Sequence, residues 1–324
     1  MKKMTAAILT TAMAVTAMAG TTLTAGAEEE YKVLVASSDM SQSFYSWLAN
    51  SVVASLEAKG VKATLVDLAG DTANVPTVIE QAITDGYNGL VMDKPDHDQN
   101  TDELLQEAHD AGVYTILVNN TEVKDGVSCG VGLDNYPLGY TVGTVAAEKL
   151  PENAKILILK ATAGNQGSED RYNGFVDALA DEKREDVEVL DVRNSDNWSK
   201  EGAMAEMEDW LQVYTEFDAV YSMCDDMTCG CIEACEAADL DVQTIQFYGI
   251  DGLANGCKSI KDGKMTATVL QNATEMGEEA ASLWEQMEKG ELTEGKISAL
   301  DPTIITSDNV DEIITMHEAN GMMK

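Results

Sequence analysis

The chemistry-bearing residues of this 324-residue chain recur in one kind of place. Ser38, Phe44, Tyr45, Asp93, Asn119, Arg171, Trp198, Cys224 with Asp225, Asp251 and Gln271 each stand just after a short apolar run. Singly, each has an ordinary reading. Phe44 or Tyr45 could anchor a helix start, Asp93 or Asp251 could cap one, and Arg171 could be a surface ion pair. Their common placement is the signal. Carboxylates, amides, a guanidinium and aromatic rings together suit a neutral polyhydroxyl ligand. Aromatic faces cover the C–H faces of a ring, and the polar groups pair with its hydroxyls.

Catalytic and metal chemistry find little support. The sequence has no nucleophile elbow, phosphate-binding P-loop or metal-binding His pair. Gly164 and Gly167 follow an apolar run but lack the third glycine of a dinucleotide loop. The adjacent carboxylates Asp225 and Asp226 need not share a face for acid–base work. The six cysteines are Cys129, Cys224, Cys229, Cys231, Cys235 and Cys257, and they lack the paired Cys-x2-Cys spacing of zinc and many redox sites. None of the three histidines, His97, His109 and His317, is near the cysteine cluster in sequence. The expectation is buried, apolar packing for the thiols, with no metal and no cofactor.

The elements that must position these residues are visible as rhythm. Apolar runs begin at Val33, Thr64, Leu90 and Ile116, and again at Ile156, Val187, Ala219 and Ile245. Most intervals are 26 to 31 residues, the length of one β-α-β unit. The runs are nearly continuously apolar, as parallel strands buried on both faces should be. Between them Val75, Val78, Ile79, Ala82 and Ile83 form a helical stripe, as do Leu48, Val52 and Leu56. The rhythm breaks between about 119 and 135, where Val127 to Leu133 predicts an extra strand. Later segments predict a strand over 266–271, a helix over 275–289 and a last strand over 303–306. Four units, an interruption and four more imply an α/β protein with two parallel-sheet lobes. In open parallel sheets, ligands bind beyond the carboxyl ends of the strands at a topological switch point.

Lys and Arg number 21 against 57 Asp and Glu, a formal charge of −36, while the apolar fraction is 44%. That charge argues against nucleic acid and against docking on an anionic membrane surface. Lys2 and Lys3 precede an apolar run from Ala6 to Gly20, and Ala25-Gly26-Ala27 supplies small residues for a signal peptidase. Residues 1–27 are thus expected to be a removable export signal, too short and too Ala/Thr-rich to be a good membrane span. With no cysteine in or just after the leader, the expected product is unanchored, periplasmic or secreted.

With these pieces in order, the sequence resembles the ribose-binding type of periplasmic sugar-binding protein, the substrate-binding component of an ABC importer. The resemblance rests on Asp134-Asn135-Tyr136-Pro137-Leu138-Gly139, Arg171-Tyr172-Asn173-Gly174-Phe175 and Tyr248-Gly249-Ile250-Asp251-Gly252. Ala267 to Gln271, Met276-Gly277 and Thr306 to Val310 extend it over essentially the whole chain after the leader. It implies two Rossmann-like lobes of a type I periplasmic binding protein, joined by a three-strand hinge. The crossings would lie near Leu133-Asp134, Gln271-Asn272 and Leu300-Asp301. The lobes would be 28–133 plus 272–300 and 134–271 plus 301–324. It further implies a non-catalytic monomer that closes on a small-molecule sugar or polyol like a flytrap and is then recognised by an ABC transporter permease. A receptor reporting to a chemoreceptor or sensor kinase is the alternative within the same class, and an enzyme on the same fold the more distant one.

By motif position the resemblance puts Phe44 and Tyr45 on one ring face and Trp198 on the other. Asp93, Asn119, Arg171, Asp251 and Gln271 fall at hydroxyl-binding positions, with Cys224 in the same shell. Ser38, Gln42, Lys200 and Asp225 are secondary candidates. Several positions depart from the family. Gln42-Ser43-Phe44-Tyr45 replaces Asn-Pro-Phe-Phe, Asn119 replaces an Asp, Asp93 replaces an Asn, and Cys224 replaces a hydroxyl-binding Asn. Ordinary ribose is therefore a poor expectation. The extra carboxylate Asp93 would suit a cationic amino sugar, provided that Arg171 pairs elsewhere.

Overall fold

A computed structural model describes residues 31–93, 101–119, 121, 123, 126–292 and 294–323. The expected export signal and His97 lie outside the described residues. The chain first builds β1 (Lys32–Ser37), α1 (Ser43–Ala58), β2 (Lys62–Asp67), α2 (Val75–Thr84), β3 (Gly89–Asp93), α3 (Thr101–Asp110), β4 (Tyr114–Val118) and β5 (Ser128–Gly132). A second series follows: α4 (Asn135–Lys149), β6 (Lys155–Lys160), α5 (Gln166–Asp181), β7 (Glu188–Asn194), α6 (Lys200–Leu211), β8 (Ala219–Ser222), α7 (Asp225–Ala237), β9 (Gln246–Asp251), α8 (Ala254–Lys261) and β10 (Ala267–Leu270). The chain ends with α9 (Ala273–Glu288), β11 (Ile297–Ala299), β12 (Thr303–Ile305) and α10 (Val310–Ala319).

These strands form two six-stranded sheets, ordered β11-β5-β4-β3-β1-β2 and β12-β10-β9-β8-β6-β7. All neighbours run parallel except β10 and β12. The predicted strands and the α/β class are therefore present. Alternation explains why β1 and β3 read as continuous apolar runs. Val33, Val35 and Val91 join a core cluster with Trp47 and Leu48, whereas Leu34, Ala36, Leu90 and Met92 join another with Ile79 and Leu105. Both faces are covered, so neither face can be polar.

The chain passes between the sheets three times: between β5 and α4, between β10 and α9, and between β11 and β12. Sequence reading had no strand at β11, whose Ile-Ser-Ala segment is too short for a periodicity signal. The register Ile297↔Gly130 places it beside β5. Helix α9 starts two residues earlier than predicted because Asn272 caps it, its side chain accepting from the Glu275 amide.

Strand order reverses beside β1 in the first sheet and beside β6 in the second. Both switch points are followed by helices whose first two turns carry candidate residues: Phe44 and Tyr45 on α1, Arg171 on α5. Gly139 lets α4 meet α5 at close range, where a Cβ would collide with the Arg171 carbonyl oxygen. Tyr221 Oη donates to that same carbonyl at 3.1 Å, which fixes the helix turn bearing Arg171. All six cysteines are buried free thiols. Among the described residues, no helix is long and apolar enough to cross a membrane.

Candidate functional site

One cavity, with about 50 Å³ of space for a water-sized sphere, gathers residues from the ends of both sheets. The first sheet contributes Gln42, Ser43, Phe44 and Tyr45 after β1, and Asn119 after β4. The second contributes Arg171, Trp198, Cys224, Asp251 and Gln271, each following or ending a strand. Sequence reasoning had named all of these except Ser43.

The second-sheet wall is a connected polar network. Arg171 Nε donates to Asn135 Oδ1 at 2.9 Å, and Nη1 donates to the Met223 carbonyl at 2.6 Å. Nη1 also lies 3.4 Å from Asp251 Oδ1, to which Gln271 Nε2 donates at 2.6 Å. The guanidinium sits over the Trp198 ring, 5.1 Å from its centroid. Arg171 is only 6% exposed, Asp251 4% and Gln271 1%. Burial pushes the Asp251 carboxyl up to about 7, the neighbouring Arg171 and the Gln271 hydrogen bond offsetting part of that rise and the Asp226 charge adding to it. Its backbone is also unusual for a non-glycine residue, with φ 113°, and Gly252 follows at φ 67°. His317 Nε2 lies 2.8 Å from the Gly252 carbonyl, so that nitrogen carries the proton and holds this turn from behind.

The first-sheet wall is aromatic. Phe44 and Tyr45 pack edge to face, with centroids 5.8 Å apart and an interplanar angle of 68°. Gln42 Nε2 donates to Asp39 Oδ2 at 3.1 Å, which tethers the polar residue preceding α1. Asn119, at φ 55°, turns its amide toward Asp93 Oδ1 at 3.5 Å.

Four of the expected positions are not brought to the cavity lining. Asp93 is buried behind Asn119, and Ser38 is buried at the end of β1. Lys200 Nζ turns to Glu233 at 2.5 Å. Asp225 faces the interior, where its oxygens accept from Thr268 Oγ1 at 2.6 Å and the Leu253 amide at 2.7 Å. Burial and the Asp251 charge hold its carboxyl well above the usual range. The carboxylate that borders the cavity is the next one, Asp226, with Asn255 Nδ2 donating to its Oδ1 at 2.6 Å. Asp226, Asn135 and Gly167 also line the cavity; the sequence reading weighs them only as an acid–base neighbour, a motif residue and part of a loop, and not as site residues. Helical geometry was the available signal for Asp226, since consecutive side chains on α7 point about 100° apart.

Cys224 borders the cavity as the residue preceding α7, and its thiol lies 3.6 Å from the Trp198 carbonyl. Burial, reinforced by the Asp251 charge, raises the thiol well above its ordinary range, so it is a neutral, weakly polar surface.

A cavity at the carboxyl ends of two mostly parallel sheets, lined by Phe44 and Tyr45 from one and by charged residues with Trp198 from the other, defines a two-lobed binding protein. The sequence profile of the periplasmic binding protein domain matches residues 33–292, and the chain belongs to that family. A ribose import binding protein of Bacillus subtilis is 25% identical over 274 residues, covering 85% of this chain and 87% of the relative. A xylitol-binding protein of Mycolicibacterium smegmatis is 26% identical over 259 residues, covering 78% and 72%. The same fold occurs in a Caulobacter myo-inositol binding protein solved with myo-inositol, at a TM-score of 0.78 and 24% identity, covering 89% of this chain and 97% of that one. A galactofuranose binding protein superposes with a TM-score of 0.80 at 20% identity, covering 90% of this chain and all of the other, 100%. These relatives are named as binding proteins, not as enzymes.

Proposed function

We propose that this chain is an exported, non-catalytic receptor that captures a monosaccharide or related polyol and presents it, as a monomer, to the permease of an ABC importer. Residues 1–27 act as the export signal in this reading. Residues 28–133 plus 272–300 form one lobe, residues 134–271 plus 301–324 the other, and ligand closes them about the three crossings. The observation that carries the reading is the Arg171–Asp251–Gln271 network facing Phe44 and Tyr45 across one cavity. Buried, pre-oriented charge beside aromatic faces is what a ring of hydroxyls requires. Arg171, Asp251, Gln271 and Asn119 are the proposed hydroxyl partners, and Phe44, Tyr45 and Trp198 the ring-facing aromatics.

Cys224 narrows the ligand. A thiol is a weak donor and acceptor, whereas the amide common at this position offers two donors and a carbonyl. The cognate ligand therefore lacks the hydroxyl that ordinary pentose receptors read there, or turns it away. A deoxy sugar, a differently configured hexose or a cyclic polyol fits. A thermal-shift panel of sugars and polyols tests the class, because a ligand of the native state raises apparent stability. X-ray scattering at saturation tests the closure: the radius of gyration should fall, and an unchanged value would count against a hinged receptor.

A further inference from the structure

We infer that the cavity selects a ligand carrying a protonated amine, an amino sugar or amino polyol, over its neutral hydroxyl counterpart. This inference rests on the receptor reading above and concerns the same cavity.

Open acceptors on the second-sheet wall carry the inference. Gln271 Oε1 is buried and has no hydrogen-bond partner among the described residues. Asp251 takes its bonds from both Gln271 and Arg171 on Oδ1, and its Oδ2 has no donor among the described residues. Asp226 likewise accepts from Asn255 on Oδ1. Three acceptor atoms on residues that line the cavity thus have no donor among the described residues, two of them on carboxylates. An ammonium brings three donors and no acceptor, whereas a hydroxyl brings one donor.

Charge favours the same choice. Among the described residues lining the cavity, the formal charges are those of Arg171, Asp226 and Asp251. Arg171 is already engaged by Asn135, the Met223 carbonyl, Asp251 and the Trp198 ring. Its Nη2 and the Asn135 amide nitrogen have no acceptor among the described residues, which leaves donors for a ligand's hydroxyls. The carboxylates are relieved only in part: Arg171 faces Asp251, but Asp226 and Asp251 repel one another, and buried Asp225 sits in the same field. A neutral hydroxyl leaves that negative charge in place. A cation between the carboxylates removes it, and in a buried site such a pair is screened little by salt.

Isothermal titration calorimetry on the full chain provides the test, with matched pairs as probes: glucosamine and glucose, galactosamine and galactose, an aminocyclitol and myo-inositol. Within at least one pair the amine should bind about tenfold tighter or better. Its affinity should rise from pH 6 to 7.5, with proton release seen by comparing buffers of different ionisation enthalpy, because the ammonium demands the ionised form of Asp251. Asp226→Asn, which preserves shape, should lower the amine-to-hydroxyl affinity ratio about tenfold. Should that variant fail to fold, Asp251→Asn gives the same ratio test. If the neutral member binds as tightly in every pair, or if the ratio survives both substitutions, the amine inference is overturned while the receptor reading stands. Binding of no amine member overturns the amine inference, and the thermal-shift panel then decides the receptor reading by itself.

Discussion

The two walls of the cavity are built on opposite principles. The first-sheet wall presents Phe44 and Tyr45, a pair held by edge-to-face packing, with Asn119 beside them. The second-sheet wall presents Arg171, Asp251 and Gln271, almost wholly buried and bonded through Asp251, with its one aromatic, Trp198, stacked on the Arg171 guanidinium. An aromatic wall tolerates small displacements, since dispersion and stacking are broad functions of position. A buried charge network does not, because each member left unpaired costs its desolvation. In the proposed receptor, the second wall is the one that fixes the ligand's orientation and the first the face that covers it.

The sharpest way to break this comparison is to truncate the network. Arg171→Ala or Asp251→Ala should weaken binding by about 2–4 kcal/mol, roughly 30- to 1,000-fold by calorimetry. Normal binding by Asp251→Ala would show that the polar anchor lies elsewhere.

The network should also be costly to the empty protein. The folded-state carboxyl of Asp251 is raised to about 7, above its ordinary value of 3.8, so the native state holds its proton more tightly than the unfolded chain does. Its contribution to stability is then present at acid pH and lost as pH rises toward 7. Asp251→Asn should remove that loss. Its melting advantage over the parent, without ligand, should grow between pH 5 and 7.5 by about 2–3 kcal/mol. An advantage independent of pH would mean that the carboxyl is ionised throughout.

The aromatic residues should matter less. Tyr45→Ala should cost about 1 kcal/mol of binding, roughly fivefold. Trp198→Ala should cost more than Tyr45→Ala, because its ring also supports the Arg171 guanidinium. Equal losses would separate that stacking from affinity.

The smallest effect is expected at Cys224, and it concerns ranking rather than strength. Cys224→Asn should favour common pentoses and hexoses by a few fold relative to the parent's best ligand, since a site that gains an amide begins to demand a hydroxyl. An identical ranking would make the thiol a packing residue and move the altered preference to Asn119.

Much of this protein is decided locally. Runs such as Val33 to Val35 and Leu90 to Met92 have no polar position, so they can only be strands covered on both faces, and their spacing leaves room for one helix each. That is why the paired sheets and the cluster of chemistry at the strand ends are legible from order alone. Tertiary structure decided which of those residues meet. Asp225 and Asp226 are indistinguishable as neighbours in sequence, but α7 turns one into the core against Thr268 and the other to the cavity. Lys200 stands near the site in sequence and is drawn away by Glu233, a partner 33 positions onward. Arg171, chargeable against any acid in so acidic a chain, is committed to Asn135, the Met223 carbonyl, Asp251 and Trp198. Hydrophobic periodicity acts within a segment, so sequence reveals it. Pairing of buried charges depends on distances between segments, and only the packed chain sets those.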